Sequence, residues 1–393
     1  MLTPEENERL TRVGPGTPAG ALLRRYWHPV AIAEELTDEQ PTKFVRVLGE
    51  DLVLFRDKAG RVGLLADHCA HRGASLCYGR VEERGISCAY HGWLYDTGGN
   101  VLETPPERND AIMTHVKQPA YPVQKFLGLY WAYLGPAPAP VIPRYDVWVR
   151  QDGARWIEDR GRIDANWLQA MENSVDSAHL QILHQEFIGR GQRPVNTTRG
   201  FIDDIAAYEF EVVPYGIVKR RTYVNGQVDE HPLLFPTVLR QGNATQIRVP
   251  IDDTAIWHVL VHFEPTGDGS LAAPAEPRVQ PAKPHKDPPD ALYPHARYTM
   301  HSVAAQDHMA WETQGAIPDR TKEHLSYSDR GVVLLRKLID EQITRVEQGE
   351  DPMGVIRDPD HAMIDTNLMG EAQGVYTARH PAGIAAQTVQ AAP

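Results

Sequence analysis

Cys69-Ala70-His71 and Cys88-Ala89-Tyr90-His91, with residues 72–87 between them, decide how the rest of this chain is read. Each end offers one thiol and one imidazole, close together in sequence. Two cysteines and two histidines arriving from two loops can hold a metal centre. Zinc accepts such a set and closes it as a tetrahedron. Arg72-Gly73-Ala74 follows the first histidine and Gly92-Trp93 the second, which makes the paired half-motifs far more specific than a lone Cys-x-x-His. His68 stands directly before Cys69 and is expected on the loop surface, because four donors already complete the set. Asp67 and Tyr90 are candidates for packing or for bracing the donors.

Working outward, the chain has 393 residues, enough for two domains with their own cores. Its formal net charge of −12 implies no nucleic-acid-binding surface. The start, Met1 to Glu8, is acidic and polar, unlike a signal peptide. No apolar run reaches the length of about 18 residues that a membrane helix needs. Of three cysteines, two belong to the motif, so Cys77 has no disulfide partner within the chain. A reduced, cytoplasmic setting fits that usage.

Local pattern gives the organisation. Thr3, Pro4 and the acidic residues after them predict a helix to about Val13, and a second helix is expected over Ala21 to Tyr26. Phe44 to Leu48, Leu52 to Arg56 and Val62 to Leu65 alternate as strands joined by tight turns, and lead into the first motif loop. Phe126 to Leu134 reads as a buried strand. The proline-rich stretch from Gly135 to Pro143 reads as a boundary, dividing the chain into an N-terminal segment 1–25, a β-rich domain 26–143 and a second domain 144–393. In the second domain, Trp167 to Val175 is helix-like and runs into Asp176-Ser177-Ala178-His179-Leu180-Gln181-Ile182-Leu183-His184. On a straight helix His179 and His184 lie roughly 140° apart, so they share an ion only where the helix ends or bends. Phe201 to Val213, Ile217 to Tyr223, Gln246 to Ile251 and Ile256 to Phe263 then alternate as strands. Arg221, Arg240, Arg248, Trp257, His258 and His262 are candidates for the inner face. Pro265 to Asp290 reads as an irregular loop, and Val332, Leu335, Ile339, Ile343 and Val346 predict a long helix.

The first motif, with its flanking residues, resembles the Rieske [2Fe–2S] pattern, in which two cysteines hold one iron and two histidines the other. Colour separates this from zinc. Asp-x2-His-x4-His downstream of it is similar to the catalytic domain of the Rieske non-haem iron oxygenases, in the same domain order and over nearly the whole chain. Arg12 to Pro18 and Ile317 to Thr321 resemble stretches of the phthalate dioxygenase-like branch. The resemblance implies an α+β fold: an N-terminal β-rich Rieske domain, then a catalytic domain with a twisted antiparallel sheet and helices. It implies a cluster on Cys69, His71, Cys88 and His91, and a mononuclear Fe(II) on His179, His184 and a later carboxylate. Asp307 is the best match for that carboxylate, with Glu312 and Asp319 as fallbacks. Asp176 matches the aspartate that bridges to a Rieske histidine of a neighbouring subunit, and Glu172-Asn173 a pair that often precedes it. The implied protein is the terminal oxygenase of a multicomponent system. It uses O2 and electrons from a separate NAD(P)H-dependent reductase, with or without a ferredoxin, as a homotrimer or a multiple of it. Two activities fit: hydroxylation or cis-dihydroxylation of an aromatic compound, aromatic carboxylates included, and oxidative O-demethylation of an aryl ether. A Rieske electron carrier without catalysis is the third reading, but it needs no second metal site.

Overall fold

The computed structural model describes residues 1–184, 205–273, 275–281, 283–292, 296–367 and 390–391. Helix α1 (Pro4–Thr11) starts on a reciprocal cap, with Glu6 N donating to Thr3 Oγ1 at 3.1 Å and Thr3 N donating to Glu6 Oε2 at 2.7 Å. Helix α2 (Pro18–Leu23) begins before the expected Ala21, because Thr17 caps it and Pro18 takes the first position. Strand β1 (Trp27–Ile32) follows.

Strands β2 (Thr42–Val47), β3 (Glu50–Arg56) and β4 (Val62–Ala66) form an antiparallel meander. Strands β5 (Arg80–Glu82), β6 (Gly85–Ser87), β7 (Leu94–Tyr95) and β8 (Val101–Glu103) form a second one. Strand β9 (Ala120–Tyr121) pairs with β4, and the hairpin of β10 (Val123–Phe126) and β11 (Leu129–Tyr133) closes on β1.

The second half opens with β12 (Arg144–Tyr145), the short helix α3 (Asp146–Val149) and β13 (Gly153–Ile163). Helices α4 (Trp167–Val175) and α5 (Ala178–Leu183) come next. Then run β14 (Ile205–Val213), β15 (Gly216–Tyr223), β16 (Val228–Leu234), β17 (Val238–Gln241), β18 (Ala244–Asp252), β19 (Ala255–Pro265) and β20 (Arg278–Pro281). They form one eight-stranded sheet in the order β14-β15-β16-β17-β18-β19-β13-β20, antiparallel except for the β13/β20 pair. Strand β20 lies inside the stretch expected to be irregular. Of the strand expected from Phe201, positions 201–204 lie outside the described residues. Helices α6 (Val303–Thr313) and α7 (Arg330–Glu347) complete the domain. Among the described residues no helix is long and apolar enough to cross a membrane.

Burial shows two apolar cores. The larger runs from Leu10 through Trp131, Ile142 and Trp148 to Ile343, crossing the proline-rich link. The smaller one, with Val53, Phe55, Leu65, Ile86, Trp93 and Tyr95, packs directly around Cys69 and Cys88. Area buried this way stabilises at roughly 25 cal/mol per Å2, so the motif loops hang from packed strands rather than from solvent-exposed chain.

Candidate metal centres

The two motif loops leave the strands with the same turn. Gly73 N donates to Cys69 O at 2.8 Å and Gly92 N to Cys88 O at 2.9 Å. Gly73 and Gly92 take φ of +76° and +74°, a conformation that costs other residues energy. The Asp67 carboxylate accepts from Ser75 Oγ (2.9 Å) and Cys77 N (3.0 Å), pinning the first loop. Gln118 braces it from outside, accepting from Ala70 N at 2.8 Å and donating to Ala66 O and His68 O at 2.7 and 2.9 Å.

Cys69 and Cys88 are each 3% exposed, whereas His71 and His91 sit half-buried at the tip with ring centroids 4.5 Å apart. His71 stacks on Trp93 at 4.6 Å and 7°, and its buried Nδ1 has no hydrogen-bond partner among the described residues. The Tyr95 hydroxyl lies 3.0 Å from Cys69 Sγ. A tetrahedral zinc holds its donors about 3.4–3.8 Å apart. Among the described residues the donors that gather in threes within 4.8 Å are those of His179, His184 and Asp307. Paired buried thiols with paired imidazoles outside them suit a two-iron cluster.

The second group forms where helices α4, α5 and α6 meet. Asn166 caps α4, accepting from Leu168 N at 3.0 Å. The helix breaks at Asp176 (φ −76°, ψ 122°), whose Oδ1 then accepts from Ala178 N at 2.8 Å to start α5. His179 lies in the first turn of α5, and His184 ends it at φ −100°, ψ 14°. The helix therefore stops where a five-residue spacing requires it to. The rings meet at 5.4 Å and 86°. Ser302 caps α6, and Asp307 from its middle places Oδ1 3.1 Å from His184 Nε2 and 3.8 Å from His179 Nε2. Asn173 Nδ2 lies 3.1 Å from the same oxygen and 3.2 Å from His179 Nε2. Burial alone raises a carboxyl's pKa, but His184, His179 and Arg248 outweigh it and hold Asp307 low. Burial likewise pushes His184 down, and Asp307 and Gln306 more than reverse it. Two imidazoles and one carboxylate converging from one side are the donor set of a non-haem ferrous site with open positions.

Comparison with known proteins agrees with this pair of centres. Residues 26–125 match the Rieske [2Fe-2S] domain family, and residues 295–370 match a family described as LigXa C-terminal domain like. The 5,5'-dehydrodivanillate O-demethylase oxygenase subunit of Sphingobium sp. (strain NBRC 103272 / SYK-6) is 37% identical over 373 residues, covering 91% of this chain and 84% of that protein. The chain belongs to the Rieske non-haem iron oxygenases. The phthalate 4,5-dioxygenase oxygenase subunit of Pseudomonas putida is 33% identical over 397 residues, covering 90% of this chain and 89% of that one. In fold, the oxygenase superimposes on the oxygenase of carbazole 1,9a-dioxygenase, solved with its ferredoxin, with a TM-score of 0.63 at 20% identity, covering 89% and 99% of the two chains. The oxygenase is thus an O2-dependent oxidoreductase that carries a [2Fe–2S] cluster and a mononuclear iron.

Elsewhere in the oxygenase the expected residues divide. Asp176 Oδ2 lies 3.3 Å from His179 Nδ1, and burial is outweighed by that contact, so its carboxyl is held low. Lys219 Nζ donates to Asp176 O at 3.1 Å, tying the helix break to β15. Of the Glu172-Asn173 pair, Asn173 turns toward the triad while Glu172 turns away, accepting from Arg320 and Arg336. Glu312 pairs with His285, Lys286 and Tyr298, and Asp319 with Lys322 and Thr321, so neither fallback carboxylate joins the histidines. His68 is exposed, as is Tyr90. Cys77 is half-buried, and burial pushes its thiol up to about 12, so it stays protonated. Among the inner-face candidates, Arg221 is tied to Asp229 and Arg240 to Asp146. Arg248 is fully buried, donates to Ser174 Oγ and Gln246 Oε1, and lies over the Trp311 ring. Its charge acts on the nearby Asp307 carboxylate. Sequence reasoning gave no role to Gln306, Tyr95, Arg320 or Lys219. Gln306 and Arg320 carried a signal, their places in the Gln306–Glu312 and Ile317–Thr321 stretches.

Proposed function

We propose that Cys69, His71, Cys88 and His91 hold the cluster, and that His179, His184 and Asp307 hold the mononuclear iron. The enzyme is a terminal oxygenase that hydroxylates an aromatic compound. Residues 26–143 are its electron-receiving domain and 144–393 its catalytic domain. The observation that carries this reading is the meeting of His179, His184 and Asp307 donors within 4.8 Å on helices far apart in sequence. When bound, the cluster supplies electrons one at a time and the ferrous ion supplies the reduction of O2 beside the substrate.

The chain's own residues do the rest. Asp176 backs His179 by its charge, 3.3 Å from Nδ1, as carboxylates behind metal-binding imidazoles do. Its half-buried position leaves it within reach of His71 or His91 of a neighbouring subunit, which the tip of the Rieske loops leaves half-exposed. A homotrimer, or a multiple of it, supplies that neighbour. Arg248, a fully buried guanidinium held by Ser174 and Gln246 close to Asp307, supports an aromatic carboxylate as substrate, since a guanidinium pairs well with a carboxylate. Electrons come from a separate NAD(P)H-dependent reductase, directly or through a ferredoxin. The likeness to an oxygenase solved with its ferredoxin supports this. Oxidative O-demethylation is the second reading, favoured by the 37% identity to an O-demethylase subunit.

The test is a product screen with labelled O2 and a surrogate reductase, run on aromatic acids and aryl methyl ethers. Hydroxylated products carrying the label support the first reading, and formaldehyde release supports the second. Iron content no higher than two per chain, or no labelled product and no formaldehyde from any substrate, would remove both.

A further inference from the structure

We infer that Gln306 is a positioning residue for the mononuclear iron. It holds His184 as the Nδ1–H tautomer, so that Nε2 is the donor atom offered to the metal. The inference rests on the assignment of His179, His184 and Asp307 as the ligand set.

His184 Nδ1 lies 2.7 Å from Gln306 Oε1, and His184 Nε2 lies 3.1 Å from Asp307 Oδ1. Gln306 and Asp307 are consecutive residues of α6, so one short stretch of one helix faces both ring nitrogens: Gln306 accepts at Nδ1, and Asp307 stands beside Nε2 as a fellow ligand of the metal rather than as its hydrogen-bond acceptor. An amide oxygen only accepts, hence Nδ1 carries the proton and Nε2 keeps its lone pair. His184 needs this grip more than His179 does. It is the cap residue just after α5, with φ −100° and ψ 14° outside the helical values, so the helix does not fix its direction. Burial closes the alternative: His184 is 0% and Gln306 4% exposed, so bulk water does not replace the acceptor. The two imidazoles are then backed differently. His179 has a carboxylate at its Nδ1, Asp176 at 3.3 Å, whereas His184 has a neutral amide. A carboxylate makes its imidazole a stronger donor, and an amide orients the ring without adding charge.

The experiment uses full-length protein with its cluster in place. The mononuclear site is emptied by mild chelation and titrated with Co(II), read by its visible ligand-field band. Wild type should take one Co(II) per chain, and His184→Ala none. Gln306→Leu should bind about 10–100-fold more weakly, and Gln306→Glu, which restores an acceptor at Nδ1, should bind at least as tightly as wild type. If His184→Ala binds like wild type, the ligand assignment itself is wrong. If His184→Ala loses Co(II) while Gln306→Leu titrates like wild type, the assignment stands and the role of Gln306 is overturned. A second readout needs no variant. In Zn(II)-loaded wild type, 15N shifts should report a protonated His184 Nδ1, and a bare Nδ1 would equally overturn the inference.

Discussion

The Tyr95 hydroxyl, 3.0 Å from Cys69 Sγ, is the clearest case of one side chain tuning a centre. Burial, and then Cys69 itself, push the phenol far above its ordinary range, so it remains a proton donor at every working pH. A donor to a cluster sulfur stabilises the reduced, more negative state and raises the potential. Tyr95→Phe should therefore lower the cluster's midpoint potential by about 40 mV, the equivalent of one hydrogen bond of about 1 kcal/mol in a one-electron couple. A redox titration followed by visible circular dichroism measures it, and an unchanged potential would show that the hydroxyl points its proton elsewhere. Tyr95 was invisible in the sequence, where it reads as one more strand residue. The proposed cluster donors Cys69, His71, Cys88 and His91 stand out in the sequence because each pair sits on one turn, with Gly73 and Gly92 at positive φ. Asp307 lies 123 residues from His184, and the pairing of those two rested on likeness to a family rather than on any local rule.

At the scale of the element, α4 is held at both ends before it breaks. Asn166 at its start donates to Thr11 O and Asp253 O at 2.9 and 2.7 Å. Glu172, one residue before Asn173, accepts from Arg320 at 3.0 and 2.9 Å and from Arg336 at 2.6 Å. Arg336 also meets Glu323, and Arg320 donates to Asn7 Oδ1 at 3.0 Å, so the first helix is tied into the same network. Removing one charge leaves buried guanidinium without its partner, which costs about 3–5 kcal/mol. Glu172→Gln should lower stability by that order in denaturant unfolding. A loss under about 1 kcal/mol would mean that water or Glu323 compensates. The breaks and pairings of elements were only half legible. The spacing of His179 and His184 demanded a helix end, and α5 ends at His184. Strand β20 was missed because its residues, Arg278-Val279-Gln280-Pro281, show no apolar alternation. It is an edge strand recruited by backbone pairing to β13, and its final proline is tolerated only at such an edge.

For the whole molecule, the buried His28 and His308 and the half-buried His231 set the response to acid. Burial pushes His28 down to about 4, and His231 and His308 down to about 3, from an ordinary 6.5. Between those values the unfolded chain binds protons that the folded chain refuses, so stability rises with pH across that window. The stabilisation is complete above about pH 6.5 and is lost as pH falls toward 4. The unfolding temperature should thus begin to fall below about pH 6.5, well before carboxylates titrate. His28→Gln should flatten part of that slope, and a temperature constant down to pH 5 would contradict the burial of these rings. The two-part α+β plan was readable from alternation and from the motif loops. The sheet order was not, because β13, which precedes the site helices, inserts between β19 and β20. Alternation identifies strands and says nothing about which strand lies beside which.

The near-parallel packing of Trp93 on His71, at 4.6 Å, gives the oxygenase an optical gauge of its own. An indole that close to a centre absorbing visible light passes its excitation to it instead of emitting. With the cluster held on His71 as proposed, Trp93 is one of eight tryptophans and the one stacked on a ligand, so loading should dim the ultraviolet-excited emission of wild type more than that of Trp93→Phe.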